Sequence, residues 1–331
     1  MHPQEWTRIL TRYRAPILSR SIFELTVTLT PFFALWAFAW WALSISPWLA
    51  ATLALTNAAF LVRLFMIQHD CGHGAFFGNR RLNDWIGRFL GVLTLTPYDV
   101  WRKNHSTHHA TTGNLDRRGT GDLPTLTVRE YREKNWIGRA MYRLVRNPFF
   151  LFGIVPFYLF FLQNRLPFGQ MRAGGLYWRS TLVTNAVMVA ALGAIAWLGG
   201  LEVLLFVFFP TTLLAAVTGV WFFYVQHQFE DTVWERDEDW NVQEAALNGS
   251  SHYDLPCILR WITANIGVHH VHHAASRIPF YRLSDVVRDH DILARSKRIT
   301  LLGSFRCARL HLWDEKSRKL LSFSDARKVA T

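Results

Sequence analysis

The stretch LTVTLTPFFALWAFAWWALSISPWLAATLALTNAAFLV, residues 25–62, contains no Asp, Glu, Lys or Arg. A helix needs roughly 20 apolar residues to cross the hydrocarbon core of a bilayer. This run is long enough for two crossings, and Ser46-Pro47 interrupts it near its middle. It predicts two antiparallel helices, about 23–45 and 48–68, joined by a tight turn. The run starts too late and is too long for a cleavable signal peptide. Working outward, residues 180–201 and 203–229 are free of the same four residue types and are separated by Gly199-Gly200 and Glu202. They predict a second hairpin, about 179–199 and 203–227. Pro148–Asn164 is also uncharged, but Pro148 and Pro156 make it a poor span. An interfacial or re-entrant helix is expected there.

Half of the 331 residues are hydrophobic, yet the mean hydropathy is only +0.09, so a large polar portion accompanies the spans. The expected fold class is therefore all-α: an integral membrane chain of four transmembrane helices in two hairpins. A helical cap, residues 69–147 and 228–315, covers one side of the membrane. We read residues 1–331 as one domain, with a frayed polar tail from about 315. The three cysteines, Cys71, Cys257 and Cys307, are too far apart for a CxxC knuckle or a disulfide framework, which fits a reducing compartment.

The net charge of +12 would suit a nucleic-acid partner, but its distribution fits a membrane better. Arg8, Arg12, Arg14 and Arg20 precede the first span, and residues 74–147 hold 13 Lys+Arg against 6 Asp+Glu. The two predicted turns carry only Glu202. Positive loops stay inside, so both termini and the cap are expected in the cytoplasm. The basic excess is then attraction to anionic headgroups, and no nucleic acid is expected.

The cap carries three histidine clusters: His69 and His73; His105, His108 and His109; and His269, His270, His272 and His273. Spacings of three and four residues stack side chains on one face of a helix. Neutral imidazoles converging on one point form a transition-metal site, and eight of them exceed what one tetrahedral zinc requires. Two metal ions are therefore expected. His270 lies at the edge of its arc and is read as a hydrogen-bonding neighbour. His227, ending the fourth span at the depth of His69, is read as a ninth ligand. Asp70 and Asn265 are candidate supports, Asp70 for a ligand's outer N–H and Asn265 for a metal-bound water. His2, His290 and His311 are expected at the surface, and His252 at the border of the pocket. Arg63, the one charge inside the second span, is expected to snorkel to the interface. A site of this kind, with open coordination positions beside an apolar supply, points to oxidative chemistry on a lipid chain.

These residues resemble the membrane fatty acid desaturase family, with its pattern H-x(3–4)-H, H-x(2–3)-HH and H/Q-x(2–3)-HH on four spans. The boxes here are His69…His73, His105…His108-His109 and His269…His272-His273, and the likeness covers about residues 20–300. Gly249-Ser-Ser-His-Tyr-Asp-Leu-Pro256 and Asn265–Pro279 are similar to the bacterial and cyanobacterial acyl-lipid branch, especially its Δ12 (omega-6) type. The resemblance implies a di-iron centre (two Fe ions) with O2 as co-substrate, and a cis double bond placed in a membrane lipid acyl chain. It also implies the bacterial inner membrane as location. Segments near Trp101 and Trp221 are expected to line the acyl tunnel. Relatives that use acyl-CoA have an Asn one turn before the counterpart of His227; Phe223 stands there, so that detail does not carry over. The chain has no His-Pro-Gly-Gly cytochrome b5 motif and no ferredoxin cysteine set, so the electron donor is expected to be a separate ferredoxin or cytochrome b5-like protein. The alternatives are a hydroxylase or ketolase on the same scaffold, a zinc membrane hydrolase, and a non-enzymatic metal-binding protein.

Overall fold

A computed structural model describes residues 3–119 and 121–329. His2 lies outside the described residues. Among them, four helices are long and apolar enough to cross a membrane. Helix α1 runs Leu18–Ala42 and α2 runs Pro47–His73. Pro47 opens α2, where its missing N–H costs nothing and its fixed φ suits a first turn. Helices α3 (Arg80–Leu93) and α4 (Tyr98–Thr111) follow in the cap. Helix α5 (Trp136–Val145) meets the segment α6 (Phe150–Arg165) at a 55° bend, and α6 is wound largely as π-helix. The bend falls beside Pro148, and the segment is a broken span or a re-entrant one. The second hairpin is α7 (Gly175–Gly199) and α8 (Leu201–His227). Short cap helices α9 (Cys257–Ile262), α10 (His269–Ala274) and α11 (Phe280–Asp289) complete the site.

The spans pack through small residues. Ala39 and Ala42 of α1, Ala50 and Ala54 of α2, and Val203 and Val207 of α8 form one buried cluster. Lipid tails are as apolar as these side chains, so close backbone approach rather than hydrophobic burial holds such helices together. At Gly199 a Cβ would lie 2.4 Å from the Trp40 ring, which leaves no room for any larger residue. Polar contacts add to this. Asn57 donates to the Phe32 carbonyl at 3.1 Å, and Thr211 to the Ala54 carbonyl at 2.9 Å.

Arg63 departs from expectation. It is buried and does not snorkel: its guanidinium pairs with buried Glu24 of α1 and donates to Thr28 Oγ1 and to the Trp261 carbonyl. It also lies 4.1 Å from the Trp261 ring centroid. An unpaired charge at this depth is costly, and Glu24 supplies the counter-charge. The pair bolts both spans of the first hairpin to cap helix α9.

Among the described residues, five strands of two or three residues interrupt the helical cap. β1 (Leu126–Thr127) pairs in parallel with β4 (Leu312–Asp314), and β4 pairs antiparallel with β5 (Lys319–Leu321). β2 (His252–Asp254) pairs in parallel with β3 (Arg298–Thr300). Such fragments are too short to show an alternating pattern. Consequently the tail is not frayed over 315–329. Leu320 and Ala326 are buried, and the His311 ring stacks on Phe323 at 4.3 Å. Residues 330 and 331 lie outside the described part. His311 is thus a core residue rather than a surface one. His290, half-buried, makes edge contacts with Trp6 and Tyr13.

Candidate metal centre

Both α2 and α8 end on the same side of the bundle, opposite the turns at 43–46 and Gly200, and each ends in a histidine. His69 and His73 occupy the last turn of α2, which Gly74 terminates in the left-handed conformation, φ 67°. His227 is the last residue of α8. Helix α4 carries His105, His108 and His109, and α10 carries His269, His272 and His273.

These nine side chains divide into two groups. His69, His73, His105, His109 and His272 form one; His108, His227, His269 and His273 form the other. Within each group the ring nitrogens offered lie within 4.8 Å of one another. The second and third boxes contribute in opposite ways. Box two sends its i, i+4 pair to the five-histidine group and its middle residue to the other. Box three does the reverse. A helix places i and i+4 about 40° apart and the i+3 residue about 60° to the other side of i, so one short helix can feed two neighbouring centres. The groups abut where His109 stacks on His273, ring centroids 4.0 Å apart.

The donor chemistry fits cations. His227 Nδ1 lies 3.3 Å from the Gly249 carbonyl, and His108 Nδ1 meets the Asp122 carboxylate. Both partners only accept, so each Nδ1 carries the proton and each Nε2 presents a lone pair. Those two Nε2 atoms are 3.2 Å apart, and His269 Nε2 is 3.0 Å from His227 Nε2. Facing lone pairs repel unless a proton or metal lies among them. A proton is disfavoured. Burial, and then neighbouring imidazoles, hold His105, His109, His269, His272 and His273 well below the usual histidine range. His73 Nε2 and His273 Nε2 are buried without any hydrogen-bond partner, as expected of metal-facing atoms.

The supporting residues are mixed. Asp70 Oδ1 is 3.3 Å from His69 Nδ1, and its Oδ2 accepts from the Phe280 backbone N–H at 2.7 Å. It thereby ties the first box to α11. Asn265, by contrast, turns its amide to the Phe280 carbonyl at 3.4 Å and lines a separate cleft beside His252 and Asp254. This geometry gives no support to its holding a metal-bound water. His270 points away from both groups and contacts the Leu293 carbonyl at 2.9 Å, with burial pushing its pKa down to about 3. His252 borders that second cleft, not the histidine groups. Asp122 escaped the sequence reading. It stands 14 residues beyond His108 in a loop, where helical periodicity has ended and nothing in the spacing marks it.

A cavity of about 570 Å³ opens beside the histidines, within the range of ligand-binding sites. His69, His105 and His269 border it, and it extends between spans past Leu61, Ala216 and Gly219. Trp101 lines it as expected. The segment near Trp221 lines it too, through Phe222 and Phe223, while Trp221 itself packs on Phe152 and Phe305. Phe223 touches the rings of both His108 and His227, each with centroids 5.1 Å away.

Residues 46–299 match the family model described as fatty acid desaturase. The chain belongs to that family. This desaturase is 41% identical over 320 residues to a fatty acid desaturase of Bacillus subtilis, covering 97% of this chain and 90% of that one. It is 31% identical over 232 residues to a Synechocystis sn-1 acyl-lipid omega-3 desaturase (ferredoxin), covering 66% of this chain and 61% of that one. It is 27% identical over 263 residues to a Synechocystis sn-1 oleoyl-lipid 12-desaturase, covering 74% and 67%. The desaturase is thus an oxidoreductase of fatty acid metabolism with a membrane-type, mostly helical fold.

Proposed function

We propose that the chain places a cis double bond in acyl chains of membrane lipids, at the Δ12 (omega-6) position, using O2 and two iron ions. His69, His73, His105, His109 and His272 would hold one ion, and His108, His227, His269 and His273 the other. The observation that carries this reading is the pair of histidine groups at one end of an apolar cavity that runs between the spans. Bound iron would supply the reduction of O2 and the removal of two hydrogens from neighbouring carbons.

The chain's own residues supply position and dryness. Leu61, Ala216 and Gly219 offer an apolar wall along which an extended chain can lie. His69, His105 and His269 border that wall, so the carbons resting there are the ones exposed to reaction. Phe223 covers His108 and His227 and excludes water from the four-histidine group. Asp70 holds His69 against α11. Imidazoles kept neutral by burial leave their lone pairs free for metal at ordinary pH.

Electrons come from a separate carrier, ferredoxin or a cytochrome b5-like protein. The printed names of relatives at 31% identity, which specify ferredoxin, support that donor class and an acyl-lipid substrate. The arginines before α1 and in the cap support a cytoplasmic site in a bacterial inner membrane. The 12-desaturase relatives at 26–27% identity support the Δ12 position. The omega-3 relatives favour a second reading, a bond placed from the methyl end. Expression with iron and a donor in a host lacking polyunsaturated lipids tests all of this, read by mass spectrometry that locates double bonds. A Δ12 product is expected. A bond nearer the methyl end supports the second reading, a new hydroxyl indicates a hydroxylase, and an unchanged profile overturns the proposal.

A further inference from the structure

His108 is the box-two residue that turns away from its neighbours into the four-histidine group, and its Nδ1 meets the carboxylate of Asp122. Asp122 belongs to the loop residues 121–124, which follow α4 in the chain and, with Gly119, form part of the cavity wall through Gly121, Asp122, Leu123 and Pro124. The loop is pressed onto α4. Gly121 has φ +73°, and a Cβ there would lie 3.1 Å from the Asn104 carbonyl and 3.3 Å from His108 Cβ. The Asp122 side chain is 7% exposed, and its second oxygen is buried without a partner. Among the described residues, no Lys or Arg pairs with it.

A buried carboxylate with one hydrogen bond and no cation is poorly placed for stability. The same carboxylate behind a ligating imidazole is well placed, because the metal beyond the ring supplies the missing positive charge and the carboxylate raises the ring's basicity. We infer that Asp122 is the positioning residue of the four-histidine metal site and couples the cavity wall to it. Its carboxylate fixes His108 with the proton on Nδ1 and the lone pair on Nε2. Because the same loop lines the cavity, an acyl chain seated against it steadies His108. This rests on reading the histidine groups as metal sites.

The test compares wild type with Asp122→Asn, Asp122→Ala and Gly121→Ala, each purified in lipid nanodiscs and loaded with ferrous iron. The readouts are iron per chain and the time course of removal by a chelator, with and without phospholipid bearing oleoyl chains. Wild type is expected to release two ions in two phases, with the lipid slowing one of them. Asp122→Ala should speed that phase by about 10- to 100-fold and leave the other unchanged. Asp122→Asn keeps the shape but loses the charge, so it should show a smaller acceleration, with lipid protection lost. Gly121→Ala should speed the same phase by displacing the loop. Release from Asp122→Asn and Gly121→Ala that matches wild type in both phases and in lipid protection overturns the inference, whether or not the alanine variant folds. A wild type that holds no iron at all overturns the metal reading instead.

Discussion

At the scale of single residues, the nine histidines are unequal in how their loss will read out. His227 stands alone at the end of α8 and holds contacts at 3.0–3.2 Å with two partners, His269 and His108. His227→Ala should therefore abolish desaturation and halve the iron per chain, as measured by metal analysis beside lipid profiles. His270→Ala should retain both ions, because its ring faces the Leu293 carbonyl. In the sequence, helical spacing set His270 apart from its box, while the position of His227 at the end of the fourth span placed it with the other histidines. Spacing was not enough to reveal Asp122 or the Gly249 carbonyl, which reach the rings across loops. His311 provides a separate pH test. Burial, with Arg146 and Arg143 nearby, pushes its pKa down to about 3 from the usual 6.5. The unfolded chain then binds the proton more tightly than the folded one. The stability it contributes is present above about pH 6.5 and is lost as pH falls toward 3, by up to ~1.4 kcal/mol per pH unit. Thermal unfolding in detergent at stepped pH should show a shallower acid limb for His311→Gln.

At the scale of helices and their pairing, the Arg63–Glu24 bolt has the largest expected effect. Arg63→Leu leaves buried Glu24 with only the half-exposed Arg20, 2.6 Å away, as counter-charge, a loss of at most about 3–5 kcal/mol, visible as a lower melting temperature. Glu24→Leu combined with Arg63→Leu should recover most of it, since no lone charge then remains. A double variant as unstable as the single one would refute the pairing argument. Charge-free runs located all four spans to within a few residues, because an apolar helix in lipid is a strong and local pattern. The same patterning failed at Arg63, where a charge near a helix end looked like a snorkelling residue and its partner lay 39 positions earlier. It failed again for the strands and the tail packing of 315–329, which depend on contacts between distant segments.

At the scale of the whole molecule, the cavity between the hairpins decides which chains can react. Thr212, Ala216, Gly219, Phe223 and Gln226 follow one another along a single face of α8 and all line it, with Gly219 near the centre of that arc. A Cβ at Gly219 would meet nothing within 4 Å. Gly219→Ile should fold normally, fill that space, and lower desaturation of 18-carbon chains relative to shorter ones by on the order of 10-fold. Product ratios from cells fed acids of different lengths measure this, and an unaltered length preference would count against it. That histidines from three boxes gather at the ends of the spans in a form able to hold metal was readable from residue types and periodicity. Their division into five and four was not, because that depends on how α4 and α10 face each other. The division also has a consequence for synthesis. Four of the five histidines of one group, His69, His73, His105 and His109, emerge from the ribosome before residue 112, whereas three of the four in the other group come at residue 227 or later. The first pocket is nearly whole while the second hairpin is still unmade. On the proposed two-ion reading, cofactor loading would follow the order of synthesis, and the second ion would report that both hairpins have been inserted and the cap has closed.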